Sequence, residues 1–295
     1  MREHMQQHFI SPHQCPYCGR PDIDGRSVEI DADTASQRLD CHHCQRGWTD
    51  LYRLAAVIDD AGNRHDRPRR LESTGSHEPI EDRDIRQREI VPPDQLERCR
   101  ATVIGVGAVG RQVALQLTAM GIRSLQLIDP DTVEPANLAP QGFAVDDLGR
   151  AKVTAAGDAC HQLNPKLEVR EHHERFRRSM TDLGNVIFCC VDSIETRQHI
   201  WYAVQDAVEF FADGRMSAEV IRVLAASDVS SRQHYVTTLF RSEEAHQGAC
   251  TARSTIFTAS IAAGLMLEQF SRHLRTLPID PDLQLNLLTS ELSVF

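Results

Sequence analysis

Between residues 100 and 275, short and mostly apolar runs alternate with longer segments in which apolar residues recur every three to four positions. The clearest runs are 101–104, 124–128 and 186–191, and the last of these contains no polar residue. Such runs are typical of strands buried on both faces of a sheet, whereas a period near 3.6 is typical of amphipathic helices. The alternation of the two patterns predicts an α/β fold.

The same two patterns predict elements further along the chain. Residues 153–163 and 256–270 have the helical period, while 220–226 and 234–240 are predicted to be later, antiparallel strands. Near the N-terminus, apolar side chains at near-helical spacing predict a short helix: Trp48, Leu51, Tyr52, Leu54 and Val57.

A glycine-rich turn follows the first apolar run directly. Gly105 and Gly107 let the backbone turn tightly and approach a phosphate or ribose, and Gly110 lets the next helix pack closely on the strand. That helix offers unpaired N–H groups to an anion. Asp129 ends the next strand, where its carboxylate can accept hydrogen bonds from ribose hydroxyls. This order predicts a Rossmann-like, doubly wound mixed sheet with a nucleotide site, although NAD, FAD, SAM and ATP sites all use such turns.

Composition narrows the class of partner. The formal net charge of −10 argues against nucleic acid and anionic membranes, because their phosphates would be repelled. No run approaches a membrane span, and the first residues lack the apolar core of a signal peptide. We therefore expect a soluble cytoplasmic protein, and the nine cysteines fit a reducing compartment.

Four of those cysteines form two C-x-x-C pairs, Cys15 with Cys18 and Cys41 with Cys44. Each pair can fold two thiolates around one ion, so together they predict a closed, structural Zn²⁺ site. Residues 27–31 and 36–40 between them are predicted to be the strands of a zinc ribbon. The alternative of a redox dithiol needs a thioredoxin-like unit around one pair, and the sequence contains none.

The polar and apolar composition also divides the chain. We predict a zinc-ribbon module over residues 1–60, a linker over 61–80 that is rich in Arg, Asp, His, Gly and Ser, and a catalytic domain over 81–295.

The residues after Asp129 carry a more specific pattern. It resembles that of the ThiF/MoeB/HesA family, the bacterial relatives of ubiquitin-activating enzymes, whose motifs read D-x-D-x-V, N-L-x-R-Q and G-x-x-K. The matching residues here are Asp129-Pro-Asp131-Thr-Val133, Asn137-Leu-Ala-Pro-Gln141 and Gly149-Arg-Ala-Lys152. The resemblance covers about residues 81 to 275 and implies ATP-dependent adenylation of a C-terminal carboxylate.

The resemblance also implies roles for single residues. Arg83 would reach the ATP site of a partner protomer in a homodimer, with Arg86 beside it. Asp131, Asn137 and Gln141 would line the nucleotide, while Lys152 would bind its phosphates.

The apolar run 186–191 ends on Asp192, where the family pattern C-x-D-N places an aspartate that coordinates Mg²⁺. A carboxylate at this edge of the sheet also suits that ion physically. Arg197, one helical turn on, is expected to pair with Asp192 or its neighbours.

Two departures from the family pattern bear on function. Pro140 replaces the arginine of N-L-x-R-Q, for which Arg111 or Arg150 are possible substitutes. The paired cysteines lie N-terminal to the domain rather than within or after it, which suggests an appended recruiting module.

Cys250 precedes the predicted helix 256–270 and an arginine, Arg253. Both would lower the pKa of its thiol, so a nucleophilic role is open. Some family members link the activated carrier to such a cysteine, and others do not. Ser254 or Thr255 is predicted to cap the helix.

Taken together, these features predict that the chain activates a ubiquitin-like or sulfur-carrier protein with a Gly-Gly end, before transfer to an acceptor such as a conjugating enzyme. A bacterial ubiquitin-like conjugation system is favoured over sulfur transfer for thiamin or molybdopterin. Two alternatives come from other classes: an NAD-dependent oxidoreductase that uses the glycine turn, and a non-catalytic zinc-ribbon adaptor.

Overall fold

The computed structural model describes residues 14–31, 34–53, 56–58, 64–66, 83–240 and 255–295. The chain divides into two compact units, Met1–Thr74 and Gly75–Phe295. None of the helices in the described ranges is long and apolar enough to cross a lipid bilayer.

The first unit contains a three-stranded antiparallel sheet of β1 (Ile23–Asp31), β2 (Thr34–Cys41) and β3 (Gly47–Arg53). The first two strands confirm the predicted ribbon hairpin. The helix predicted from Trp48 onwards is wrong, because this segment is β3. Trp48 lies opposite Leu39 on β2, and this buried cross-strand pair takes the apolar surface that a covering helix would have buried.

A second, two-stranded sheet pairs β4 (Ala56–Ile58) with β5 (Arg64–Asp66). Part of the stretch predicted to be a linker is therefore paired as a strand.

The second unit is built on one eight-stranded sheet with helices on both faces. Its strands are β6 (Arg100–Ile104), β7 (Ser124–Ile128), β8 (Glu168–His172), β9 (Val186–Cys189), β10 (Phe210–Ser217), β11 (Val220–Ala226), β12 (Asp282–Asn286) and β13 (Glu291–Val294). Its helices are α1 (Pro93–Leu96), α2 (Ala108–Met120), α3 (Leu138–Gln141), α4 (Lys152–Leu163), α5 (Ile194–Val204), α6 (Val229–Thr237) and α7 (Ile256–Leu274).

The strand order is β8-β7-β6-β9-β10-β11-β12-β13. The strands from β8 to β10 pair in parallel, and those from β10 to β13 pair antiparallel. The chain starts at β6, moves outwards through β7 and β8, and then crosses back to β9 on the other side of β6. This is the predicted doubly wound mixed sheet.

Alternating residues of the central strands supply a separate apolar cluster on each face. Phe188 and Phe210 pack on one face with residues of α2, α4 and α7, whereas Ile187 and Phe211 pack on the other with Trp201 of α5 and Tyr235 of α6. The helices that follow β6 and β9 therefore lie on opposite faces of the sheet.

The strand predicted over residues 234–240 is wrong, because most of this segment belongs to α6. Asp228 caps the helix by accepting a hydrogen bond from the Ser231 amide at 2.8 Å. Ser231, Tyr235 and Thr238 are buried at helical spacing against the sheet. The cap and this one-sided burial decide the conformation. At the start of α7, Thr255 is the N-cap, as predicted, and accepts from the Thr258 amide at 3.3 Å.

Candidate nucleotide site and four-cysteine cluster

A cavity of about 780 Å³ opens at the carboxyl ends of β6, β7 and β9. Because α2 and α5 leave β6 and β9 towards opposite faces, a crevice forms between these neighbouring strands. Ligands of open α/β sheets bind at such a switch point. Its wall includes Gly105, Gly107, Asp129, Asp131, Gln141, Lys152, Arg175, Phe176, Asp192, Arg197 and His199.

The glycine turn has the geometry that its sequence predicted. Gly105 has φ +88°, and a Cβ there would lie 2.8 Å from the carbonyl oxygen of Cys190. At Gly110 a Cβ would lie 1.8 Å from the Gly105 carbonyl oxygen, so this glycine is required where helix and strand approach. Gly107 meets nothing within 4 Å. The start of α2 is therefore open to a ligand in the cavity.

Asp129 holds the glycine turn in place through hydrogen bonds to backbone amides. The residue is 5% exposed, and its carboxylate accepts hydrogen bonds from the amides of Val106 at 2.6 Å and Asp131 at 2.8 Å. Burial raises the pKa of Asp129 although both hydrogen bonds favour the ionised form. The predicted contact with a ribose stays a prediction.

Lys152 begins α4 and is buried, with 6% of its surface exposed. Its Nζ donates to Asp131 Oδ2 at 2.9 Å, and its backbone amide donates to the Asp131 carbonyl at 3.0 Å. A cation at a helix start is disfavoured by the helix dipole. Asp131 compensates that cost here and holds the ammonium group in the cavity wall.

Asp192 lies just beyond β9 and is exposed in the cavity. Among the residues that the structure describes, no hydrogen bond or ion pair occupies its carboxylate. Ser193 caps α5 by accepting from the Thr196 amide at 3.4 Å. The expected pairing of Arg197 with Asp192 itself is wrong, since Arg197 forms its ion pair with Asp213 on β10. The expectation of a partner next to Asp192 is confirmed, because the Val191 carbonyl oxygen accepts a hydrogen bond from Arg197.

Asn137 and Gln141, which were predicted together, differ in position. Gln141 lines the cavity, and its buried Oε1 has no hydrogen-bond partner within the described chain. Asn137 is not part of the cavity wall; its Oδ1 accepts from the Glu134 amide at 2.9 Å in a local turn. A nucleotide contact by Asn137 stays a prediction.

Neither arginine considered as a substitute at Pro140 lines the cavity. The Arg111 guanidinium lies 5.0 Å from the centre of the Phe143 ring. Arg150 pairs with Asp147 and Asp158. Arg175, in contrast, does line the cavity, is exposed, and makes no ion pair within the described residues. Arg175, Phe176 and His199 were not predicted from the sequence to line the cavity, because only the folded sheet brings the segment after β8 next to α5.

Arg83 and Arg86 lie away from this cavity within the chain. The Arg83 guanidinium donates to the Thr118 carbonyl at 2.6 Å at the C-terminal end of α2, and both arginines line a separate cavity of about 310 Å³. Their action on a partner protomer stays a prediction.

Cys250 lies outside the described residues, so its predicted role remains a prediction. Of the cysteines inside the second unit, Cys99, Cys160 and Cys189 are buried. Burial raises the pKa of the Cys99 thiol to about 11, which favours the unreactive protonated form.

The four cysteines of the first unit form one cluster. The Sγ atoms of Cys15, Cys18, Cys41 and Cys44 all lie within 4.8 Å of one another. The Cys15–Cys44 and Cys18–Cys41 sulfur distances are 3.6 and 3.8 Å. A tetrahedron with Zn–S bonds of about 2.3 Å has edges of about 3.8 Å, so this cluster fits a zinc ion.

Comparison with known proteins decides the family. The family model described as "ThiF family" matches residues 82–284, more than half of the chain. The chain belongs to the ThiF family.

Several curated proteins that are similar to this chain are named ubiquitin-like modifier-activating enzyme 5. The Drosophila ananassae protein is 34% identical over 125 residues, which cover 36% of this chain and 32% of that protein. The Caenorhabditis elegans protein is 31% identical over 147 residues, covering 43% and 35%. The Drosophila mojavensis protein is 28% identical over 207 residues, covering 58% and 49%. The chain thus matches about a third to a half of each relative.

Solved structures of other proteins also resemble this chain in fold. PaaA superposes with a TM-score of 0.59 at 20% identity, covering 76% of this chain and 85% of PaaA. MccB of E. coli, crystallised with MccA, gives 0.55 at 14% identity, covering 68% and 64%. Another crystal structure of MccB contains ATP. At these identities the likeness shows the fold.

Proposed function

We propose that this ThiF-family chain adenylates the C-terminal carboxylate of a ubiquitin-like or peptide-like carrier. One observation supports this proposal most strongly: a single cavity at the sheet's switch point combines the glycine turn, the Lys152–Asp131 pair and the Asp192 carboxylate, which has no partner among the described residues.

The cavity supports a triphosphate nucleotide. Gly107 exposes the start of α2 to an anion, and Lys152 and Arg175 add positive charge beside it. Gln141 Oε1 is a buried polar atom without a hydrogen-bond partner in the described part of the chain, so a ligand can supply that hydrogen bond. Two apolar strand ends, Ile104 and Ile128, also face the cavity and suit an adenine ring.

Asp192 fits a magnesium ion. Carboxylate oxygens are preferred ligands of Mg²⁺, and this one is exposed at the sheet edge without a competing partner in the described chain. When bound, the ion neutralises charge on the nucleotide phosphates. Asp131 is not equally available, because Lys152 already occupies one of its oxygens.

In the proposed reaction a carboxylate oxygen of the carrier attacks the α-phosphorus of ATP. The bond from that phosphorus to the bridging oxygen of the β-phosphate breaks, so pyrophosphate leaves and an acyl-adenylate forms. The buried Lys152 ammonium is held in place by Asp131 and stabilises the charge that develops on the phosphate oxygens.

The partners follow from this proposal. The carrier ends in Gly-Gly, and its adenylate passes to an acceptor such as a conjugating enzyme, either directly or through Cys250. A homodimer would bring Arg83 and Arg86 of the partner subunit to the nucleotide. The four-cysteine cluster would hold a structural Zn²⁺ and form the module that recruits the carrier or acceptor.

ATP–pyrophosphate exchange tests the proposal. Purified wild-type chain should exchange labelled pyrophosphate into ATP when it is mixed with ubiquitin-fold proteins that end in Gly-Gly. The same proteins lacking the last two residues should give no exchange. Lys152→Ala and Asp192→Ala should each lower the rate by about 100-fold or more, since each removes charge stabilisation from the transition state. Arg150→Ala is the matched control, because its side chain pairs outside the cavity. Full exchange by both variants would overturn the assignment.

The oxidoreductase alternative makes an opposite binding prediction. Calorimetric titration should show binding of ATP with Mg²⁺ and none of NADH. Preferential binding of NADH would favour the alternative.

A further inference from the structure

A buried ionic cluster lies behind the cavity wall that carries Asp192. Its carboxylate, Asp213 on β10, is fully buried and pairs with both Arg197 and Arg215. Tyr235 donates its hydroxyl to Asp213 Oδ2 at 3.0 Å. Arg215 is also held by Thr238, through its carbonyl at 3.0 Å and its hydroxyl at 3.1 Å.

Arg197 is the member of this cluster that reaches the cavity. It is 5% exposed and forms part of the wall. Besides its ion pair with Asp213, the Arg197 guanidinium donates hydrogen bonds to the carbonyl oxygen of Val191 and, at 3.3 Å, to that of Gly214. Val191 immediately precedes Asp192 in the chain.

The position of these two carbonyls explains why an arginine is needed. The parallel ladder between β9 and β10 ends with Cys189 opposite Asp213. Beyond that point the Cys190 amide still donates to the Ile104 carbonyl of β6 at 2.8 Å, but no ladder hydrogen bond in the described chain joins residues 190–192 to β10. The planar guanidinium bridges this gap, because its fixed donors serve the two carbonyls while its charge pairs with the Asp213 carboxylate.

We propose that Arg197 is a positioning residue: anchored by Asp213, it fixes the loop that presents Asp192 to the cavity. Its effect on the metal rests on the proposed function, whereas its effect on the loop does not. The Asp213–Tyr235 hydrogen bond acts one step further back, by orienting the carboxylate that anchors the guanidinium.

Arg197→Lys is the central variant, since lysine keeps the positive charge but lacks the planar guanidinium with its several fixed donors. Arg222→Lys is its matched control. Arg222 pairs with buried Asp282 through two hydrogen bonds of 2.9 and 2.6 Å in the same sheet, but it does not line the cavity. Tyr235→Phe is a milder variant that keeps the ring and removes one hydrogen bond to Asp213.

Amide hydrogen exchange of the segment 190–196 in the nucleotide-free protein measures the loop directly. We expect about ten-fold faster exchange in Arg197→Lys and about two- to three-fold in Tyr235→Phe, with wild-type rates in Arg222→Lys. Wild-type exchange in this segment for both Arg197→Lys and Tyr235→Phe, or equal acceleration in the control, would overturn the proposal. Should Arg197→Lys not fold, the Tyr235→Phe comparison decides alone.

Binding of Mn²⁺, followed by electron paramagnetic resonance with a non-hydrolysable ATP analogue, tests the link to the metal. Arg197→Lys should raise the half-saturating Mn²⁺ concentration by about ten-fold, while metal-free affinity for the analogue changes by less than about two-fold. An unchanged Mn²⁺ requirement in a variant with a loosened loop would refute that link. If the wild type binds neither analogue nor Mn²⁺, the proposed function fails, and hydrogen exchange still judges the positioning role.

Discussion

Among the described residues of the smaller unit, the buried ones are Cys15, Pro16, Leu39, Cys41 and Trp48, whereas the larger unit covers both faces of an eight-stranded sheet with apolar clusters. Their stability must therefore come from different sources. Because few apolar residues are buried in its described part, we expect the smaller unit to depend on the zinc ion that its four cysteines fit, while the larger one depends on packing and on backbone fit. This difference also determines how readily the structure of each unit could be predicted from the sequence.

Removal of the metal should cause the largest loss of stability, and it should affect the smaller unit alone. Zinc in sites of this kind contributes about 10–16 kcal/mol at pH 7, so chelation should unfold residues 14–53. Hydrogen exchange, with the zinc content measured by atomic emission, should show lost protection there and retained protection over 186–226. Cys15→Ser should have the same effect, whereas Cys99→Ser, in the other unit, should not. Equal protection of 14–53 with and without metal would contradict this comparison.

A backbone collision should give the next largest effect, now in the larger unit. Gly110→Ala places a Cβ 1.8 Å from the Gly105 carbonyl oxygen, so we expect a loss of about 3 kcal/mol in the free energy of unfolding. Gly264→Ala in α7 is the control, because its nearest neighbour would be the Gln116 Oε1 at 3.8 Å. Alanine should raise the stability there by about 0.5–1 kcal/mol. Urea unfolding measures both, and a Gly110→Ala variant as stable as wild type would show that the turn relaxes.

The smallest effect concerns the cap of α6, the helix that the sequence predicted as a strand. Asp228→Ala should cost about 1 kcal/mol at pH 7, and Asp228→Asn only a few tenths. Hydrogen bonds from Ser231 lower the pKa of Asp228, so its contribution is present above about pH 4 and is lost as the pH falls through the folded-state pKa. Urea unfolding at pH 7 and pH 3 should therefore show a smaller penalty for alanine in acid. An equal penalty at both values would show that the carboxylate is not the cap.

Local signals predicted much of this molecule. The apolar runs predicted the central strands, the glycine turn predicted the position of the cavity, and the two C-x-x-C pairs predicted the sulfur cluster. The errors at 48–57 and 234–240 arose because the spacing of a few apolar residues fits both helix and strand, and tertiary pairing or a cap decides.

Other features were out of reach because they depend on strand order. Arg197 pairs with Asp213 only because β10 lies beside β9 in the sheet. Arg175 lines the cavity only because the crossover after β8 brings it there. Neither residue carries a local pattern that signals its partner.

The proposed attack of the carrier carboxylate on the α-phosphorus of ATP, which transfers the adenylyl group to the carrier, is tested most directly by oxygen labelling. A Gly-Gly-ending carrier with ¹⁸O in its terminal carboxylate is incubated with the chain, ATP, Mg²⁺ and a nucleophilic acceptor, and the AMP is analysed by mass spectrometry. The proposal predicts one ¹⁸O atom in the AMP, because the bridging oxygen stays on phosphorus when the acceptor attacks the carbonyl carbon. Unlabelled AMP, or ADP with labelled phosphate, would contradict adenylation at this site.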